Sequence, residues 1–269
     1  DLVRDDDWLI LDGDAGLLIV APDDAVLAEY RHRQAASQLE RTKLRRLIHV
    51  PSVTLDGVAV SLMANIESPE EAEAACDAGA AGVGLFRTEF LFMNRRTLPG
   101  EDEQFEAYSA AVRGMRGKPV TIRTLDIGSD KTLSTEESVV APNPALGLRA
   151  IRYCLARSDL FLAQLRAILR ASALGNVRIL VPMLVHGHEI DQTLAMIAQA
   201  REQLRERGQA FDAAVPIGGM IEVPAAALSV GQFLRRLDFL SIGTNDLIQY
   251  TLAIDRADHA VASLYDPFH

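Results

Sequence analysis

Apolar runs and polar stretches at helical spacing alternate along most of the chain. Strands are predicted at 58–66 (VAVSLMANI), 81–86 (AGVGLF), 119–126 (PVTIRTLD), 177–184 (VRILVPML), 217–223 (IGGMIEV) and 237–243 (LDFLSIG). Between them, SPEEAEAACDAG, EDEQFEAYSAAVRGM and HEIDQTLAMIAQAREQLRERG read as helices. In the first, Ser68 is expected to cap, with Pro69 at the first helical position and Glu71 closing a capping box. Gly208 ends the third. Upstream, residues 8–20 (WLILDGDAGLLIV) predict a hairpin whose turn chemistry comes from Asp12, Gly13 and Asp14. Pro22 and Asp23 then open a long polar helix reaching residue 47.

Repeated strand-then-helix units require parallel strands joined by crossovers. Six units fit an α/β fold of the (β/α)8 TIM barrel type, with about six of its eight units present and the C-terminal side incomplete. A barrel lacking two strands is expected to expose sheet edges. The hairpin, residues 1–21, has no core of its own and reads as the tail of a preceding domain. Residues 22–50 form a helical linker, polar enough to suit a connector, and 51–269 form the barrel.

Composition narrows the function classes. A formal net charge of −10 argues against a nucleic-acid binder, which needs a basic face. It leaves room for a small anion held by local arginines. No apolar run approaches the roughly 18 residues of a membrane span, and the opening DLVRDDDW is acidic where a signal peptide is basic, so a cytoplasmic protein without membrane insertion is expected. Cys76 and Cys154 lack metal or disulfide spacing and read as reduced thiols. The six histidines (32, 49, 186, 188, 259 and 269) read as surface or capping residues, since none sits in a Gly- and Ser-rich loop beside a strand.

The candidate chemistry lies where the strands end, the position barrels of this type use for function. The run GVGLFRTEF (82–90) finishes on Arg87 and Glu89, side chains costly to bury without purpose. Its Gly82 and Gly84 weaken a strand unless something approaches the backbone closely. The third run carries Arg123, Thr124 and Asp126, followed by Asp130 and Lys131. Arg149 comes later, in NPALGLRAIR. The fifth run ends on Glu222, and the sixth on Thr244, Asn245 and Asp246, with Arg256 beyond a short helix. Arg87, Arg123, Arg149 and Arg256 suit a doubly anionic small molecule, because guanidinium forks bind phosphate and carboxylate bidentately. Glu222 and Asp246 are hard oxygen ligands of the kind Mg2+ takes. Each has a plainer reading beside it. An arginine at a strand end can simply pair with a carboxylate, Asp246 can cap a helix beginning at Leu247, and Asp126 and Asp130 can be turn residues around Gly128. Glu222, following an apolar run, most needs a cation or metal.

The segments GVGLFRTEFLFM, RTLDIGSDK, NPALGLRAIR, QLRAILRASA and SIGTNDLIQYTLAIDR, in this order, resemble enzyme I of the bacterial sugar phosphotransferase system, the phosphoenolpyruvate–protein phosphotransferases. The resemblance runs from near Trp8 to His269. It implies a barrel binding phosphoenolpyruvate and Mg2+, preceded by the tail of a swivelling phosphohistidine domain, which passes the phosphoryl group to an enzyme histidine and then to a histidine phosphocarrier protein for sugar uptake, releasing pyruvate. Matched motif to motif, it implies that Arg87 and Arg123 hold the phosphate and that Arg256 contacts phosphate and carboxylate. Asn245 and the backbone at Asp246 add hydrogen bonds, Lys131 and Arg149 line the site, and Glu222 and Asp246 ligate Mg2+. A homodimer is implied for the full enzyme.

The sequence departs from the family where its phosphoryl-accepting histidine loop, its carrier-docking helices and its GMCGE-like segment with the proton-donating cysteine are expected, so no catalytic residue is assigned here. Ser129 and Val223 are smaller departures. Three other readings stay open: a fragment of pyruvate phosphate dikinase or phosphoenolpyruvate synthase, a phosphoenolpyruvate sensor, and an unrelated Mg2+-dependent aldolase-like barrel.

Overall fold

The computed structural model describes residues 3–93, 95, 97–127, 145–256 and 258–268. It divides into two compact units, Asp1–Val60 and Ser61–His269.

In the first unit, β1 (Leu9–Asp12) and β2 (Leu17–Val20) pair antiparallel, Leu9 opposite Val20 and Asp12 opposite Leu17. Asp12 makes the turn as its sequence position implies: its Oδ1 accepts from the Asp14 and Ala15 amides at 3.1 and 2.9 Å. The polar helix is α1 (Asp24–Arg45), capped by Asp23, whose Oδ1 accepts from the Val26 amide at 2.8 Å. It buries no residue within the structure.

In the second unit, β3 (Ala64–Ile66), β4 (Val83–Arg87), β5 (Val120–Arg123), β6 (Val177–Val181), β7 (Ile217–Ile221) and β8 (Phe239–Ile242) form one parallel sheet in chain order. Sequential order without a reversal is what a barrel requires, whereas a doubly wound sheet reverses at a switch point. Among the described residues β3 and β8 are its two edges, so the fold is an open α/β half-barrel. The crossovers contain α2 (Glu71–Asp77), α3 (Glu101–Gly114), α4 (Ile151–Ala156), α5 (Ser158–Ser172), α6 (Gly187–Glu206), and the short α7 (Pro224–Leu228) and α8 (Val230–Leu234). After β8 comes α9 (Thr244–Leu252). All residues of β5 and β7 are buried, as expected for a parallel sheet covered on both faces. Phe86 of β4 meets Tyr108 of α3 edge-to-face, ring centroids 5.9 Å apart.

Three local expectations are corrected. The first strand does not begin at 58: Val58 and Ala59 fold back on a turn, with an isolated bridge between Val53 and Ala59, leaving only three residues to pair with β4. The third strand stops at Arg123 instead of running to Asp126, because the Leu125 amide turns inward to donate to a side chain, Gln164 Oε1, at 2.9 Å. The Ser68 capping box does not form. The helix begins at Glu71, and the Glu71 carboxylate reaches back to the Glu67 amide at 2.8 Å. A box-like closure occurs instead at α6, where Glu189 Oε2 accepts from the Val185 and His186 amides at 2.7 and 3.0 Å.

Gly82 and Gly84 have a packing explanation. A Cβ on Gly82 would lie 2.6 Å from the Pro119 carbonyl oxygen, and one on Gly84 would lie 3.1 Å from the Met63 Cβ. What approaches β4 so closely is neighbouring chain.

Candidate functional site

Parallel strands deliver their last residues to one rim of the sheet, and the register sets which residues are neighbours there. Arg87 and Arg123, the last residues of β4 and β5, stand directly opposite each other. Glu89 follows in the 3-10 turn Thr88–Leu91, and Glu222 is the first residue after β7. Asp246 lies in the first turn of α9, whose N-cap is Gly243. Asp246 is therefore three residues into its helix, which removes the reading of it as a cap for a helix beginning at Leu247.

These side chains join in one alternating series of charges. Arg123 Nη2 donates to Glu89 Oε1, and its Nη1 lies 3.0 Å from Asp126 Oδ2. The other Asp126 oxygen lies 3.0 Å from Arg149 Nη2, which is also 3.4 Å from Asp246 Oδ2. Asp246 Oδ1 lies 3.4 Å from Arg256 Nη2. Glu89, Arg123, Asp126, Arg149, Asp246 and Arg256 thus run across the rim with signs alternating. Tyr250, one turn beyond Asp246 on α9, accepts from Arg149 Nη1 at 3.0 Å and passes its own proton to the Ala145 carbonyl.

Burial makes this series consequential. Arg123, Glu89 and Asp246 are buried, and Glu222 is only 2% exposed. Burial pushes the Glu222 carboxyl up to about 7, with Asp126 and Asp246 adding to the shift and the Met183 amide and Arg123 opposing it. Its Oε1 accepts from the Met183 amide at 2.6 Å, and Met183 takes a left-handed backbone (φ 57°) in presenting that donor. Gly243 makes room: a Cβ there would lie 2.7 Å from Glu222 Oε2. Glu89 is likewise raised, chiefly by burial, with Arg123 pulling the other way. Burial disfavours the charge on Arg149, but Asp126, Tyr250 and Asp246 outweigh it and raise that guanidinium's pKa. Buried polar atoms without a partner among the described residues include Arg123 Nε, Arg149 Nε, Glu89 Oε2 and Thr124 Oγ1.

The sequence-predicted residues do not all converge. Arg123, Arg149, Asp246 and Arg256 belong to the series. Arg87 stands apart, its Nη1 2.7 Å from Glu67 Oε1, with both side chains part-exposed. Asn245 is exposed, its carbonyl accepting from the Tyr265 hydroxyl at 3.2 Å. Lys131, with Ser129 and Asp130, lies outside the described residues. Sequence reasoning left Asp126 as a candidate turn residue, yet it bridges two arginines. It missed Tyr250, four residues after Asp246 and so on the same helix face, and it missed Glu67 entirely.

The donor set fits a hard divalent cation in one respect. The Asp246 carboxylate is close enough to disfavour the charge on Glu222, and a cation beside Glu222 relieves that repulsion. No group of three or more His, Cys, Asp or Glu among the described residues could hold a metal alone. A pair of carboxylates is the number Mg2+ commonly takes from a protein, with water and substrate oxygens completing its octahedron.

Comparison with known proteins identifies the family. Residues 41–269 match the family model described as PEP-utilising enzyme, PEP-binding domain. A phosphoenolpyruvate-protein phosphotransferase of Cupriavidus necator is 64% identical over 272 residues, covering 100% of this chain and 46% of its own length. Proteins of the same name from Haemophilus influenzae and Bacillus subtilis are 43% and 42% identical, covering 100% and 97% of this chain. The chain spans about half the length of the curated relatives it matches. It therefore belongs to the PEP-utilising enzyme family, matched through that family's PEP-binding domain.

Proposed function

We propose that this chain is the phosphoenolpyruvate- and Mg2+-binding part of a phosphoenolpyruvate-protein phosphotransferase. The observation that carries the reading is the alternating series from Glu89 to Arg256 at the strand ends, beside the buried Glu222. A dikinase or synthase fragment is not favoured, since the relatives described above are named phosphotransferases. In this reading residues 1–21 are the tail of a phosphohistidine domain, 22–50 a linker, and 51–269 the substrate-binding barrel. The whole protein works in the cytoplasm, as a homodimer, and hands phosphoryl groups to a histidine phosphocarrier protein.

The roles are those the family resemblance implies, and the charges suit them. Arg87 and Arg123, side by side on adjacent strands, hold the phosphoryl oxygens. Arg256 reaches both phosphate and carboxylate ends, Arg149 and Lys131 line the site, and Asn245 and the Asp246 backbone add hydrogen bonds. Glu222 and Asp246 hold Mg2+, which when bound supplies positive charge for the phosphoryl and enolate oxygens. In the reaction an imidazole nitrogen of the enzyme histidine attacks phosphorus in line while the bond from phosphorus to the enol oxygen breaks. The electron pair leaves on pyruvate enolate, which then takes a proton at carbon. The arginines neutralise the equatorial phosphoryl oxygens so that the imidazole can approach, and the work is mostly electrostatic positioning.

Titration calorimetry with phosphoenolpyruvate, with and without Mg2+, tests this. Metal-dependent binding that is much weakened in Arg87→Ala and in Glu222→Ala is expected. A folded protein that takes up no phosphoenolpyruvate at millimolar concentration sinks the reading.

A further inference from the structure

Beneath the charged rim lies a buried polar cluster that the proposed chemistry does not use. Gln164, on the inward face of α5, is fully buried between Phe161 and Leu165. Its side-chain amide is completely engaged. Oε1 accepts from the Leu125 amide at 2.9 Å, while Nε2 donates to Thr88 Oγ1 at 3.1 Å and to the Tyr108 hydroxyl at 3.2 Å. Each hydroxyl passes its proton on, Thr88 to the Arg123 carbonyl at 2.8 Å and Tyr108 to Gln104 Oε1 at 3.1 Å. Gln104 in turn donates to the Pro99 carbonyl at 3.0 Å.

The positions of these contacts in the chain are informative. Thr88 sits between Arg87 and Glu89, and Leu125 sits next to Asp126 and two residues after Arg123. One amide therefore grips the ends of β4 and β5 at the residues that bracket two arginines and two carboxylates. Bonding to β6 continues through the Thr124 amide, which donates to the Leu180 carbonyl at 2.9 Å, and the Leu125 amide turns to Gln164 instead. Leucine at position 164 would fill a similar space, but it would leave the Leu125 amide and the Thr88 hydroxyl without these partners in a dry interior.

We infer that Gln164 is a positioning residue: its amide, with Thr88 as relay, fixes the separation and aim of Arg87 and Arg123 so that both meet one anion. This rests on the reading of those arginines as the phosphate-holding pair. Misplacing such groups by about an ångström is enough to cost up to about a hundredfold in function, and supporting contacts of this kind set the precision of a site.

The test compares Gln164→Leu, Thr88→Val, Thr88→Ser and Tyr108→Phe in the full chain, each first shown to be folded by circular dichroism. Tyr108→Phe removes a bond from the same cluster on the side away from the strand ends, so it controls for lost stability. Two readouts are taken: phosphoenolpyruvate affinity with Mg2+ by calorimetry, and the 15N-resolved Nε–Hε resonance of Arg123 without ligand. Gln164→Leu and Thr88→Val are expected to weaken binding by about tenfold or more and to broaden or split the Arg123 resonance. Thr88→Ser, which keeps the hydroxyl, restores both, and Tyr108→Phe lowers the melting temperature while leaving both near wild type. An unchanged Arg123 resonance in Gln164→Leu, or an equal disturbance by Tyr108→Phe, overturns the inference. If the wild type binds no phosphoenolpyruvate, the functional reading fails and the resonance still decides the positioning role.

Discussion

Arg87 and Arg123 end adjacent parallel strands in direct register, yet their ion pairs differ sharply in burial. Arg87 pairs with Glu67 in a contact whose side chains are 38% and 43% exposed, whereas Arg123 lies between Glu89 and Asp126, all three 10% exposed or less. Solvent screens the first pair and not the second. The two arginines should therefore separate in their effect on stability even if both hold the same ligand. Arg87→Ala is expected to change urea unfolding by about 1 kcal/mol at most. Arg123→Ala, which strands the buried Glu89 carboxylate and leaves Asp126 with Arg149 alone, is expected to cost about 3–5 kcal/mol. Equal costs would show that the burial difference has no energetic consequence.

Asp126 joins Arg123 to Arg149 with one oxygen each, both at 3.0 Å. Asp126→Asn keeps the shape but removes the charge shared by two buried guanidiniums. Destabilisation of about 3 kcal/mol is expected. Because the guanidiniums then face one another with less compensation, adding phosphate should recover part of the loss by mass action. Urea titrations of both proteins with and without inorganic phosphate read this directly, and a variant as stable as wild type would contradict the bridging role.

Much of this was legible in the sequence, and the rest has identifiable causes. Period and length gave the strands and the helices α1, α3 and α6, because each depends on neighbours close in the chain, but α5 (Ser158–Ser172) was not among the helices read. The cost of burying Glu222 after an apolar run was readable before any geometry. The pairing of Arg149 with Asp126, Asp246 and Tyr250 was not, since those contacts join residues 23, 97 and 101 positions apart. Only the curl of the sheet brings them together. The early end of β5 was hidden for the same reason: its cause is a glutamine 39 residues downstream of Leu125. The shortened β3 reflects competition from a local turn that apolar pattern alone does not reveal.

The pH dependence of stability follows from Glu222. Its carboxyl is raised from an ordinary 4.5 to about 7, chiefly by burial. The folded chain therefore binds that proton more tightly than the unfolded chain does, and stability falls as pH rises from about 4.5 to about 7. Over that window the loss is on the order of 3 kcal/mol. Glu89, also raised, adds a slope of the same sign. Glu222→Gln, which mimics the neutral form, is expected to flatten most of this fall while leaving the smaller slope from Glu89. Urea midpoints between pH 4.5 and 8 measure it, and an unaltered slope in the variant would place the burial cost elsewhere.

Glu67 offers the last test, because it occupies a guanidinium the ligand is proposed to use. Its Oε1 lies 2.7 Å from Arg87 Nη1, and its backbone amide is held by the Glu71 carboxylate at 2.8 Å. An incoming phosphate must displace this carboxylate or share the arginine with it. Glu67→Gln weakens the competing pair without touching any residue assigned to the ligand. A part-exposed ion pair contributes about 0.2–1 kcal/mol, so phosphoenolpyruvate affinity should rise about 1.5- to 5-fold. The gain should shrink as salt is raised, since screening weakens the same competition in the wild type. Glu67→Gln combined with Arg87→Ala should show no gain, because nothing is then released. Calorimetry at two salt concentrations on the three variants closes the cycle. A gain that persists without Arg87 would mean that Glu67 acts on the ligand through general charge and not through this pair.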